Sequence, residues 1–145
     1  MSANNDVGQA ILAAWNGANL DTVVAGGIKA DKRPSPRPTE PYATLEVRKD
    51  ARPNEYSSNG SFIDYRRVKI TLYGIGKTAI GAVVSQIRQA IEGTQGNLKK
   101  LNVANATWMR TEPIGDDLNL SQAVQGEDVR ECPLEWIVWT HRNNG

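Results

Sequence analysis

The chain has 145 residues, 39% of them hydrophobic and 23% charged, with a formal net charge of +1. That length matches the commonest single-domain size, predicts one domain over residues 1–145, and leaves no room for two ordinary domains. Apolar clusters with near-neutral charge exclude wholesale disorder, and the missing basic excess argues against a dedicated nucleic-acid binder.

Residues 1–6 are polar and predicted to fray. Asn5 or Asp6 suits a helix cap ahead of Val7, Ile11, Ala14 and Trp15, which recur at helical spacing. Leu20, Val23 and Val24 offer one more apolar turn before Gly26-Gly27 forces a break. Residues 29–41 then hold four prolines and four basic groups. Prolines so close together exclude helix and central strand, which leaves an exposed connector. It serves either as a stiff surface loop or as a basic arm for a neighbouring subunit or a phosphate backbone.

The period then changes to two. In residues 41–48, Ala43, Leu45 and Val47 share one face, and residues 62–73 repeat the pattern with Arg66, Val68, Ile70 and Leu72. The intervening 49–61 is polar, with Pro53 and Asn59-Gly60, and is predicted to be a long hairpin with a mobile tip. After Gly74-Ile75-Gly76, the residues Ile80, Val83, Val84, Ile87 and Ile91 form an apolar helical stripe that Gly93 ends. A third strand is expected over 103–111, with Ala104, Ala106 and Trp108. Residues 113–128 are acidic and are predicted to form a second mobile loop. The closing segment 129–142 alternates Cys132, Leu134, Trp136 and Val138 with Glu131, Glu135, Ile137 and Trp139. The order α-β-β-α-β-β predicts an α+β fold: an antiparallel sheet of about four strands with two helices on one face.

Catalytic constellations are hard to assemble from these residues. Gly76-Lys77-Thr78 follows a strand, but the glycine a phosphate-binding loop needs five positions earlier is Thr71. His141 is the sole histidine and Cys132 the sole cysteine. They share one predicted strand, roughly 30 Å apart if extended, too far for a dyad. One Cys and one His also give no ordinary zinc site and no disulfide framework. Asp116-Asp117 and Glu127-Asp128 are adjacent pairs in a polar loop, without the contrasting surroundings that catalytic carboxylates need. No enzyme, cofactor or metal is predicted. Trp15 and Trp136 are assigned to the core; Trp108 is a candidate interface anchor. The strand face of Arg67 and Lys69, with Arg48 nearby, lacks interleaved exposed aromatics apart from Tyr65 and Tyr73, so a small α+β nucleic-acid-binding module is a weaker alternative. With neither a charged start nor an unbroken apolar run, the chain is expected to be soluble, made in the cytoplasm, and without a membrane partner.

The order of parts resembles a family. An amphipathic helix ends in Gly26-Gly27-Ile28 and a basic proline segment follows, before Pro41-Tyr42-Ala43-Thr44-Leu45-Glu46-Val47. A polar hairpin, the strand 65–73, the helix 79–92 and a last strand ending Glu135-Trp136-Ile137-Val138-Trp139 complete the pattern over residues 6–142. This is similar to the tail terminator and tail completion proteins of long-tailed bacteriophages. The resemblance implies a virion protein of the head–tail junction whose copies form a ring, typically a hexamer. Such a ring caps the tail tube, ends its polymerisation and joins it to the head connector, while genomic DNA passes through the lumen. A head-closure, stopper or other neck protein is the nearest alternative within the resemblance.

The charge distribution fits a self-assembling subunit. Residues 1–110 carry 15 Lys/Arg against 9 Asp/Glu, a net of +6, and residues 111–145 carry 2 against 7, a net of −5. Either the two signs interleave within one molecule, or opposite faces of neighbouring subunits attract. In the second case Arg33, Arg37, Arg48 and Arg52 face Asp116, Asp117, Glu127 and Asp128 across the subunit boundary. Replacing those four acids by Asn or Gln is then expected to weaken ring assembly and flatten its salt dependence. Native mass spectrometry across a salt series measures both, and unchanged rings at every salt concentration refute the pairing.

Overall fold

A computed structural model describes residues 3–30, 41–76, 78–114 and 131–143. The fold is α+β. Helix α1 spans Ala3–Gly17 and a 3-10 turn follows at Leu20–Thr22. Next come β1 (Ile28–Ala30), β2 (Tyr42–Lys49), β3 (Glu55–Tyr56) and β4 (Phe62–Tyr73), then α2 (Ile80–Glu92). The chain continues through β5 (Gly93–Thr94), β6 (Asn97–Leu98), β7 (Thr107–Ile114) and β8 (Glu131–Arg142).

The four long strands are the ones that the period-two pattern predicts, but the sheet departs from an antiparallel sheet of about four. It has six strands in the order β1-β2-β4-β8-β7, with β3 pairing to β4, and β5-β6 form a separate two-stranded ribbon. It is also mixed, because β1 runs parallel to β2 with Ile28 opposite Ala43. Strands of two or three residues are too short to show alternation, which is why the sequence pattern hid them. Lys29 and Ala30 accordingly belong to β1, not to the connector.

One face of the sheet is apolar, and both helices pack on it. Register places Leu45, Ile70 and Leu134 in one cross-strand row, and Val47, Val68 and Trp136 in the next. Val7, Ile11 and Trp15 of α1 and Ile80, Val84, Ile87 and Ile91 of α2 join them in one buried cluster. Trp15 and Trp136, assigned to the core, are fully buried there. Their indole N–H groups are satisfied by Asp21 Oδ1 at 2.7 Å and Glu92 Oε2 at 2.7 Å, as buried tryptophans require. Cys132 is buried on the same face, and its burial raises the thiol pKa.

Two boundaries move from their expected places. The third long strand occupies Thr107–Ile114, so Ala104 and Ala106 precede it, and Pro113 lies within it instead of opening the loop. Among the described residues β7 pairs only with β8, and an edge strand tolerates a residue without an N–H. Helix α1 begins at Ala3, so Asn5 and Asp6 occupy its first turn instead of capping it.

Asp6 is diverted to a tertiary contact at the polar end of the helix-bearing face. Its Oδ2 accepts from Arg142 Nη1 at 3.1 Å, and both residues are buried. Beside them Asp64, 0% exposed, accepts from Arg66 through Nε at 2.8 Å and Nη2 at 3.1 Å. Arg66 Nη1 also donates to Asn4 Oδ1 at 2.9 Å, while Lys49 lies 3.7 Å from Asp64. The ends of β4 and β8 are thus tied to the start of α1 by charge. Removing one member of a buried pair strands the others without a counter-charge. Asp64→Ala is therefore expected to cost about 3–5 kcal/mol of stability. Asp64→Asn, which keeps an acceptor, should cost less; urea denaturation midpoints measure both.

Candidate assembly interface

The other face of the sheet carries no helix among the described residues, and its side chains form cross-strand rows. Glu46, Lys69 and Glu135 lie in one row of β2, β4 and β8, so charges alternate from strand to strand. The next row sets Arg48 beside Arg67, and Arg67 is held by Asp50 and Glu135, each at 3.5 Å. Such pairs stabilise a sheet by about 0.2–1 kcal/mol each when the signs oppose. At one end Tyr42 and Tyr73 stack with ring centroids 4.8 Å apart.

An aromatic and cationic cluster occupies the other end. Tyr65 meets Trp139 edge to face at 5.0 Å. Arg52 stands over both rings, 4.8 Å from Tyr65 and 5.2 Å from Trp139, and Arg110 of β7 is 5.3 Å from Trp139. Each such contact contributes about 0.5–1 kcal/mol at exposed positions. The segment 49–61 is thereby drawn back onto the sheet. Lys49 Nζ donates to Asn54 Oδ1 at 2.6 Å, and Asp50 Oδ2 accepts the Arg52 N–H at 3.0 Å.

The interface residues suggested by charge fall unevenly on this framework. Arg33, Arg37, Asp116, Asp117, Glu127 and Asp128 lie outside the described residues, as does most of segment 113–128. Arg48 is on the helix-free face with its side chain 59% exposed, 3.9 Å from Glu46, a surface pair contributing about 0–1 kcal/mol. Arg52 is spent on Tyr65 and Trp139. Trp108 packs partly buried against the core, its indole donating to Thr111 Oγ1 at 2.9 Å. Cys132 and His141 sit at opposite ends of β8, on opposite faces. Among the described residues no group of three or more His, Cys, Asp or Glu is placed to hold a metal ion. No described helix is long and apolar enough to cross a membrane.

No family model matches the chain, and neither does any curated protein. A solved structure does share its fold. It is the sheath/tube terminator of an extracellular contractile injection system, PVC, seen by cryo-EM in the extended state. The match has a TM-score of 0.51 at 14% sequence identity, and covers 100% of this chain and 58% of that one. The present chain thus spans little more than half of that terminator's length.

Among the described residues three large exposed hydrophobic side chains escaped the sequence reading: Tyr56, Leu98 and Met109. Tyr56 did carry a signal, as a lone aromatic in the polar segment 49–61. Leu98 and Met109 carried none, since one sits in a two-residue strand and the other at the β7 bulge.

The Tyr65 cluster also sets a pH dependence. Burial pushes the phenol above its ordinary value of 10.0; the Glu55 carboxylate, accepting its O–H, raises it further, and Arg52 opposes the rise. Folding therefore favours the neutral phenol. Its contribution is complete below about pH 10 and is lost as pH climbs through the raised value. Denaturation midpoints at alkaline pH should fall more steeply for the native chain than for Tyr65→Phe.

Proposed function

We propose that this chain is a structural, non-enzymatic terminator subunit whose copies form a ring, typically a hexamer, on the end of a tail tube. The observation that carries this reading is the fold shared along the entire chain with a sheath/tube terminator. The order of helix, proline segment, hairpin and long closing strand, which resembles phage tail terminators, supports the same role. In a phage the ring ends tube polymerisation and presents its far side to the head connector, with genomic DNA crossing the lumen. The structural neighbour is named for both sheath and tube, so a contractile tail, with sheath as a second partner, is favoured over a bare tube. On the helix-free face Glu46, Lys69 and Glu135 alternate in charge from strand to strand, which suits such a ring. Such a row offers weak polar contacts to a neighbouring ring.

The test adds purified chain to its tail-tube protein during polymerisation. Tubes should stop growing and end in a ring visible by electron microscopy, and native mass spectrometry should find a discrete ring at micromolar concentration. A monomer that leaves tube length unchanged, or one that binds DNA with a steep salt dependence, refutes the terminator reading.

A further inference from the structure

The polar end of the helix-bearing face is closed by charge, yet part of its hydrogen-bonding capacity is unspent. Side chains alternate along β4 and β8, so Asp64, Arg66, Thr140 and Arg142 share the face of Val68 and Val138. Arg66 uses the full edge of its guanidinium, with Nε and Nη2 donating to the two oxygens of Asp64 at 2.8 and 3.1 Å. Arg142 instead makes one end-on contact, from Nη1 to Asp6 Oδ2 at 3.1 Å. Its Nε and Nη2, the same edge that Arg66 fills with a carboxylate, have no hydrogen-bond partner among the described residues. Asp64 Oδ2 lies 3.9 Å from that Nε, beyond hydrogen-bond reach.

Thr140 stands two residues earlier on the same face of β8, and its hydroxyl is also without a partner among the described residues. Thr140 is 0% and Arg142 9% exposed, so bulk water does not serve these groups. Buried polar groups are rarely left in this condition, because each then bears the full cost of its lost hydration. The mismatch has a sign. Two N–H groups of Arg142 and the Thr140 hydroxyl stand against one unmatched acceptor, Asp6 Oδ1. Three cations, Lys49, Arg66 and Arg142, meet two carboxylates, Asp6 and Asp64. Both inequalities favour a guest that only accepts hydrogen bonds and is negatively charged. A guanidinium edge with two parallel N–H groups is the arrangement that holds an anion.

We propose that a small monovalent anion of the halide class, chloride in ordinary salt, binds between Thr140 and the Nε/Nη2 edge of Arg142. Residues two apart on a strand stand about 7 Å apart, a span that a single monatomic ion bridges. Larger anions do not enter a site so deeply buried. Arg142 then joins the ion on one edge to Asp6 on its other nitrogen, while Asp64 is neutralised by Arg66 and Lys49. The ion thereby helps to hold the first turn of α1 against the end of β8.

Urea denaturation of the full chain, with chloride replacing gluconate stepwise at constant ionic strength, tests the site with screening held fixed. Above saturation, each tenfold rise in chloride should raise the folded-to-unfolded ratio about tenfold. Thr140→Val keeps the shape of the side chain and removes the hydroxyl. If that hydroxyl had no guest, its removal would stabilise the chain in both salts. With the ion bound, the variant should lose the chloride response and be less stable than the native chain in chloride alone. Anomalous diffraction from crystals grown in bromide should place an ion within hydrogen-bond reach of Thr140 and Arg142. Native stability that is the same in both salts overturns the proposal and assigns the donors to an ordered water. Bromide density at the site without a stability response marks an adventitious ion only and overturns it too. A chloride response that Thr140→Val retains, or bromide bound elsewhere, overturns this location. Should the variant fail to fold, the native chloride response and the bromide position decide by themselves.

Discussion

Register between β4 and β8 is the constraint on which the rest of the molecule depends. The two strands pair over their full length, from Phe62 opposite Arg142 to Tyr73 opposite Glu131. Because side chains alternate between faces, a slip of one residue would turn Val68, Ile70 and Leu72 to water. It would also bring Arg67 and Lys69 into the core beneath α1 and α2. Such a slip is excluded by burial alone, and β2 and β7 then take their register from the central pair. The placement of every surface residue follows from that choice.

The two faces use this register differently. On the helix-bearing face the rows are apolar as far as Val68 and Trp136; beyond them Arg66, Asp64 and Arg142 stand in three successive rows, and Arg142 pairs with Asp6 from α1. Burying charge is costly unless it is paired, so this end is held by geometry more than by net stabilisation. It also joins the start of the chain to the end of its last strand. On the opposite face alternating charges and a cation-flanked pair of aromatic rings cover the sheet without a helix. One face is thus closed by helices, whereas the other leaves Glu46 and Arg48 exposed and buries Tyr65 and Ile137.

Much of this was legible before any coordinates. The stripe Ile80, Val84, Ile87 and Ile91 announced α2, and the alternations in 41–48, 62–73 and 129–142 announced three of the four long strands, because period follows directly from backbone geometry. The fourth was displaced by a few residues, since proline was read as a terminator and edge position is not a local property. The short β1 and β3 were invisible for a different reason. Two or three residues carry no period, and they are strands only because a neighbour supplies the ladder. Of the charge-selected interface residues, Arg48 lies on an exposed strand face, whereas Arg52 has its charge over Tyr65 and Trp139. Composition counts a charge; it does not reveal where that charge is spent.

The near-neutral total with which the chain is first met conceals a basic body and an acidic end, and that much the sequence by itself determined. It also determined the α+β class and the core-facing residues of the long elements. Tertiary structure alone decided the mixed sheet, the diversion of Asp6 from a helix cap to Arg142, and the exposure of Tyr56 on a closed hairpin. The Asp6 contact depends on a partner 136 residues away in sequence. Periodicity records which way a side chain points, whereas what it meets is fixed only when distant segments pack together.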